Sequence, residues 1–569
     1  MIIKQLATIP LVTTLALSGC AVDRQSANID HPEIQPVGRF ASGTFFDGAA
    51  EIVDWHNESQ SIFVVNAGDK SVDILDASRL TSEALANPLT DSNLTKRGSI
   101  DLQGYLPNIE LGAANSLSVH DNLLAVAVEA ANKQELGVVI LFTINHQGTV
   151  TYKDYVHTSA LPDMVTFTPN GQYVLVANEG EPSKDYKVDP EGSISRIEIL
   201  NNGTVGNVTQ IGFSDFNQYG SRHHELSDQV RVFGRNATVA QDLEPEYITV
   251  SEDSKMAFVS LQENNAQAII DIERAEVVKI FPLGYKDYGK YTADISNKDG
   301  GVNLKTWSGV YGMYQPDTIA SYQVDGKTYV VSANEGDARD YWYNSPSKSD
   351  CIASGGLKYD EEDGCLAFTE EFRVKKIKVS NNHPNASKAK DNAGLARLKI
   401  TNTLGDTDND GQFEQLYAYG GRSFSIWDEA GNLVFDSGDD FERITADILK
   451  SDFNNNDDET KGDNRSDDKG PEPEALAIGE MNGRHYAFIG LERTGGLFMY
   501  DISRPDAPEY VRYIHNRDFS VDVSDQPELA GDLSPEGMVF IDKADSPTGN
   551  PLLVIGHEVS GSTLVYELF

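Results

Sequence analysis

The 569 residues carry 88 acidic against 46 basic side chains, a formal charge of −42 at pH 7, with a mean hydropathy of −0.38. That balance excludes a nucleic-acid surface, which needs a basic stripe, and it suits cation binding or solubility in a salty medium. Only three cysteines are present.

Met1 to Lys4 forms a short positive region, and Leu6 to Leu17 is mostly apolar but too short to span a bilayer. Leu17-Ser18-Gly19-Cys20 follows, resembling a bacterial lipoprotein signal. The expected processing removes residues 1–19 as a signal peptide and leaves a diacylglyceryl group on Cys20. Residues 20–38 then read as a lipidated tether, and Ala21 in place of Asp resembles the pattern sorted to the outer membrane. The expected location is the bacterial cell envelope, with the membrane as partner through the lipid.

From residue 39 to 569 the chain reads as one all-β domain of short strands and turns. Ala50 to Asp76 is a first meander, Asn115 to Phe142 a second, and Pro162 to Ile199 a third. Pro245 to Ile272, Pro316 to Asp340, Leu416 to Asp436, Pro473 to Ile502 and Pro535 to Leu568 follow. Eight such units imply radial repetition, a β-propeller. Eight blades are favoured; seven is the alternative if the sixth meander is only the outer part of the fifth. A strand near Val37 to Ser42 is expected to complete the last blade and close the ring. Insertions break the rhythm near 200–240, with a short helix around His224 to Val230, and again near 341–395 and 451–472. Cys351 and Cys365 are expected to form a disulfide closing a surface loop.

One pattern recurs. A Pro followed by an acid opens a strand, a hairpin reverses it, and a Glu stands 17 to 23 positions after the Pro. In the third unit the hairpin is Asn170-Gly171, a type I′ turn signal. In a propeller the innermost strand starts and the second strand ends at the same channel mouth. The strand starts supply Asp163, Glu246, Asp317, Glu474 and Glu536, with Glu51 as a weaker member. The strand ends supply Glu179, Glu263, Glu335, Glu492 and Glu558, with Glu129 weaker. So many carboxylates in one funnel do not all ionise unaided, and a hard divalent cation such as Ca²⁺, or another divalent metal, resolves this. Arg339, Arg493 and Arg465 lie close in sequence to these acids and are the candidate catalytic cations for a phosphate or carboxylate ligand. Separately, Asp406, Asp408, Asp410 and Glu414, with Gly411 at the sixth place, read as a structural calcium loop between strands.

Several longer motifs resemble a known family. Ala240-Gln-Asp-Leu-Glu-Pro-Glu-Tyr247, Ser332-Ala-Asn-Glu-Gly-Asp-Ala-Arg339, Arg422-Ser-Phe-Ser-Ile-Trp-Asp428 and Arg465-Ser-Asp-Asp-Lys-Gly-Pro-Glu-Pro-Glu474 resemble the bacterial choice-of-anchor I family. The resemblance covers about residues 40 to 569 and implies a surface propeller, consistent with a lipid on Cys20. Some relatives are described as atypical alkaline phosphatases, which implies hydrolysis of phosphate monoesters. The alternative is a non-enzymatic surface propeller that binds a ligand at the same mouth, with calcium as a structural element.

Overall fold

The computed structural model describes residues 31–569; the expected signal peptide and Cys20 lie outside the described residues. Seven four-stranded antiparallel sheets account for most of the strands. The innermost strands, in chain order, are Val53–His56, Leu111–His120, Pro162–Phe167, Ile248–Val250, Ile319–Val324, Pro473–Met481 and Pro535–Ile541. Each lies beside the next, and Val53–His56 lies beside Pro535–Ile541. The middle strands are buried on both faces: Ser61–Asn66, Leu552–His557 and Ser562–Leu568 have no exposed residue. That explains why they read as continuous apolar runs rather than alternating ones. Their side chains pack between neighbouring sheets, as where Ala125 and Val139 of the second meet Val165 and Val174 of the third.

Among the described residues the sixth meander does not form a four-stranded sheet of its own. Ser423–Asp428 pairs with Lys327–Asn334, and Leu433–Asp436 follows it, so both are the outer strands of the fifth sheet. The sixth meander is thus the displaced half of the fifth. Leu416–Ala418, expected in the same unit, pairs in parallel with Val310–Met313, outside the fifth sheet. At the other end, Ile34–Ala41 is the fourth strand of the sheet ending in Ser562–Leu568, in register from Ile34 opposite Leu568 to Ala41 opposite Ser562. This strand starts three residues before the expected Val37, within the expected tether.

The insertions gather around the fifth sheet. Between its second and third strands the chain builds a three-stranded sheet from Asp340–Tyr343, Lys358–Asp360 and Gly364–Thr369. Cys351 on the helix Lys348–Ala353 is disulfide-bonded to Cys365, with Cα atoms 5.4 Å apart. After the fifth sheet comes the longest helix, Asp440–Leu449, which the strand pattern does not announce. Its buried Phe441, Thr445 and Leu449 form one stripe, and Phe441 packs 4.5 Å from the Phe498 ring. In the 200–240 insertion the expected helix is a single 3₁₀ turn, His223–Glu225.

Candidate functional site

The repeated Pro-acid start has a specific backbone. Leu161, Gln315, Glu472 and Ser534, each just before the proline, have φ of 49°, 42°, 52° and 60°. This left-handed conformation is costly for non-glycine residues. It turns the preceding carbonyl toward the end of the second strand. There Leu161, Glu472 and Ser534 accept hydrogen bonds from the backbone N–H of Glu179, Glu492 and Glu558 at 2.9, 2.8 and 2.9 Å. In the fifth sheet Gln315 accepts from Gly336 at 3.0 Å. The ladder registers then shift between Pro162 and Met164, Pro473 and Leu476, and Pro535 and Met538. The acid after the proline therefore sits in a bulge, where a side chain is re-aimed. Gly336 is needed at φ 92°, since a Cβ there would stand 2.1 Å from the Gly420 nitrogen.

The result is convergence. Asp163, Glu179, Glu246, Asp317, Glu335 and Glu536 line one cavity of about 350 Å³, together with Gln262, Lys469 and Arg493. An adjoining cavity of about 340 Å³ shares Glu179 and Glu246 and adds Glu263. Glu474 brings a carboxylate oxygen within 4.8 Å of oxygens of Asp317 and Glu335, and Glu492 does the same with Glu335 and Glu472. Glu558 faces Arg493, Asp457 and Glu536 at the rim. All ten predicted acids thus come to one mouth. Glu51 and Glu129 join them, and Glu129 accepts a hydrogen bond from the Ala113 backbone N–H and pairs with Lys133 at 3.5 Å.

Their electrostatics follow from crowding in a dry place. Burial, reinforced by neighbouring carboxylates, pushes Asp317 and Glu51 up to about 8 and Glu263 to about 7. Asp163 rises to about 6 for the same first reason, with Lys133 opposing. Glu179, Glu246, Glu474, Glu492 and Glu536 are held well above the carboxylate range, chiefly by burial and then, for most of them, by like charge. Glu472 is the exception. Burial would raise it, but Arg465, Lys469 and Arg493 outweigh that and bring it to about 2. Among the described residues, Glu246, Glu263, Glu474 and Glu492 each keep one buried carboxylate oxygen without a hydrogen-bond partner. Such oxygens cost free energy unless something else supplies the contact.

The three arginines fare differently. Arg339 is buried, pairs with Asp242 and with Glu244 at 2.8 Å, and lies over the Phe233 ring. Arg465 is bonded to Glu472 at 2.7 Å and reaches Asp468 at 3.3 Å. Both are thereby committed to carboxylates. Arg493 lines the cavity; it binds Asp457 through two contacts of 3.0 and 2.9 Å and lies 2.9 Å from Glu492. Lys469 lines the same cavity, paired with Glu335 and, at 3.2 Å, with Glu472, whereas Lys184 and Arg339 line the adjoining one.

Four further acids of the mouth lie outside the repeated pattern: Glu181, Glu244, Asp337 and Glu472. Glu244 and Glu472 each precede the proline of a Glu-Pro-Glu at the start of the fourth and sixth sheets. The exposed loop is a partial match. Asp406, Asp408 and Glu414 bring oxygens within 4.8 Å of one another, whereas Asp410 accepts instead from the Gln412 backbone and side chain.

Residues 51–505 match the family model described as the choice-of-anchor I domain. A mesenchyme-specific cell surface glycoprotein of Strongylocentrotus purpuratus is 28% identical over 289 residues, 47% of this chain and 36% of that one. Gigasin-3a of Magallana gigas is 27% identical over 187 residues, 31% of this chain and 64% of that one. The chain therefore spans less than two thirds of the length of either relative. Among solved structures, Kuenenia stuttgartiensis hydrazine synthase aligns over 92% of this chain and 98% of its own, at 11% identity and a TM-score of 0.43. The Neurospora crassa Pan2 WD40 domain aligns over 95% and 96%, at 7% and 0.40.

Proposed function

The chain belongs to the choice-of-anchor I family, and from that premise we propose that it is a surface propeller whose mouth binds divalent cations, Ca²⁺ first among them. In this reading the seven sheets form one ring of seven blades, closed by Ile34–Ala41. The observation that carries the reading is the set of buried carboxylate oxygens left without partners on Glu246, Glu263, Glu474 and Glu492. Hard oxygen donors in such number are the ligand type Ca²⁺ takes, at six to eight per ion. Family membership points to the cell surface, and no helix of the described residues is long and apolar enough to cross a membrane. A lipid on Cys20 and an outer-membrane location complete the proposal. Metabolic labelling with a fatty-acid probe, lost in Cys20→Ala, tests the anchor. Retention of the label in that variant overturns it.

Hydrolysis of phosphate monoesters is the second reading, favoured by Arg493 and Lys469 in a cavity that also holds several acids. A bound divalent cation would supply Lewis-acid charge to phosphate oxygens there. Arg493 would hold one phosphate oxygen from the rim, and the raised carboxyls near it would accept or return a proton. The commitment of Arg339 and Arg465 to ion pairs favours ligand binding without turnover as the main role. In that role the mouth holds a phosphate ester or surface ligand through its cations. The exposed Asp406 loop is proposed as a separate structural calcium position. Calorimetric titration of the chelator-treated protein with Ca²⁺ tests the main reading, and p-nitrophenyl phosphate turnover in excess Ca²⁺ separates the two roles. Absence of any binding heat at millimolar Ca²⁺ defeats the cation reading.

A further inference from the structure

The acids of the mouth differ in what already balances them. On one side Glu335, Glu472 and Glu492 bring one oxygen each within 4.8 Å of one another. Three cationic groups meet them: Lys469 on Glu335 and Glu472, Arg465 on Glu472, and Arg493 on Glu492. Arg493 is shared with Asp457 and Arg465 with Asp468, and a further group, Asp317, Glu335 and Glu474, adjoins this side through Glu335, where Lys469 sits. On the other side Glu179, Glu244 and Glu263 converge to the same 4.8 Å limit. Among the described residues Arg339 alone forms an ion pair with this group, at Glu244 Oε2, and it is shared with Asp242; Lys184 lines the same cavity without pairing to it. Among the described residues, neither Glu179 nor Glu263 forms an ion pair with a side chain. Glu244 and Glu263 are 0% and 5% exposed, and Glu244 Oε1 and Glu263 Oε2 have no hydrogen-bond partner; Glu472 and Glu492 keep one such oxygen each as well, so the two sides differ in the cations beside them.

Resting on the cation reading of the mouth, we propose that its carboxylate groups offer two kinds of cation position, one open and one already filled. The Glu179–Glu244–Glu263 group takes an exogenous hard divalent cation, and Lys469 is a tethered ammonium that fills the second position. The chemistry of the two occupants is alike. An ammonium is a compact point charge with three donors, and it engages the same carboxylate lone pairs that a metal ion would. The difference is that Lys469 is fixed to the loop before the sixth sheet and needs no free ion. One side of the mouth thus carries a cation of its own, and the other gains one only from solution.

The test is a count of bound ions by equilibrium dialysis with ⁴⁵Ca²⁺. It uses the full chain carrying Asp406→Asn and Asp408→Asn, so that the exposed loop does not contribute. This background is expected to bind one ion per chain. Adding Glu263→Gln should weaken that binding at least tenfold. Adding Lys469→Met instead should raise the count to two, whereas Lys469→Arg, which keeps the charge, should leave it at one. If Lys469→Met unfolds early in chelator, recovery of its unfolding temperature in millimolar Ca²⁺ supports the proposal, and failure to recover overturns it. A count of one in folded Lys469→Met overturns the tethered-ammonium assignment. Unweakened binding in Glu263→Gln overturns the assignment of the open position. No ion bound in the background chain defeats the underlying cation reading instead, so the failures are distinguishable.

Discussion

Ser534 carries the cost of the mouth in its backbone. Its φ of 60° and its buried, unpartnered hydroxyl are both unfavourable, and they persist because the carbonyl must meet Glu558. Ser534→Gly relieves the left-handed strain, worth about 1–2 kcal/mol, against roughly 0.5–1 kcal/mol of added chain entropy. The expected result in urea unfolding is neutral to about 1 kcal/mol more stable, whereas Ser534→Val, β-branched at the same φ, loses about 2 kcal/mol. A second prediction at this scale concerns pH. Asp317 has its folded pKa raised to about 8 by burial and then by Glu335 and Asp163, so the folded state holds its proton more tightly than the unfolded chain. Stability in chelator therefore falls as pH rises from about 4 to about 8 and levels above that. Asp317→Asn mimics the protonated form. It should unfold at a higher temperature than the parent at pH 8, with the gap closing toward pH 4; an equal gap at both ends would contradict this origin. These acids were legible in sequence because each follows a proline at a strand start. Glu244 and Glu472 were not, since a residue before a proline reads as the end of a loop. Nor does sequence reveal that Arg339 is consumed by Asp242 and Glu244, because that pairing depends on a contact across 97 positions.

Among the elements, the insertions act as braces rather than ornaments. Arg231 donates to the Glu263 backbone carbonyl at 2.5 Å and pairs with Glu370, so the strand Glu371–Arg373 is tied to one acid of the mouth. Both side chains are buried, and removing one leaves the other charged without a partner. Arg231→Met is expected to cost about 3–5 kcal/mol, and adding Glu370→Leu should recover much of it; denaturant unfolding of the two variants measures the difference. The disulfide acts more locally. It closes a span of 14 positions, for which chain entropy suggests about 3 kcal/mol confined to that insertion. Cys351→Ser with Cys365→Ser should hasten proteolysis between 344 and 363 while leaving the main unfolding transition in place. The pairing within the fifth sheet shows where local pattern runs out. Ser423–Asp428 has the composition of any inner strand, and nothing in it states that its partner is Lys327–Asn334, 89 positions back across an insertion. Strand existence was readable from period and turns, but strand partnership was not. The helix Asp440–Leu449 was missed for a related reason: its buried stripe is only three residues long within an acidic run.

At the scale of the molecule, seven sheets put their strand starts and strand ends at one face, so a modest excess of acid in each repeat becomes an intense local one. That convergence was legible, because the reversal between Asp163 and Glu179 fixes it once the repeat is seen. The seam between Ile34–Ala41 and Ser562–Leu568 joins the two ends of the described chain. A chain beginning at Ser42 should expose the Ser562–Leu568 edge and form oligomers by size-exclusion chromatography; a monodisperse product with unchanged unfolding temperature would contradict that role. The seam also has a mechanical side. Glu33 and Phe569 exchange two backbone hydrogen bonds, at 2.9 and 3.0 Å, at the end of the ladder. With a lipid on Cys20, the 13 residues to Glu33 reach at most about 45 Å. Any pull between membrane and ligand would then run through that short leash and arrive first at the clasp between the first and last strands. Tension on a bound ligand would then load the pairing of Ile34–Ala41 with Ser562–Leu568 before it reached the other sheets.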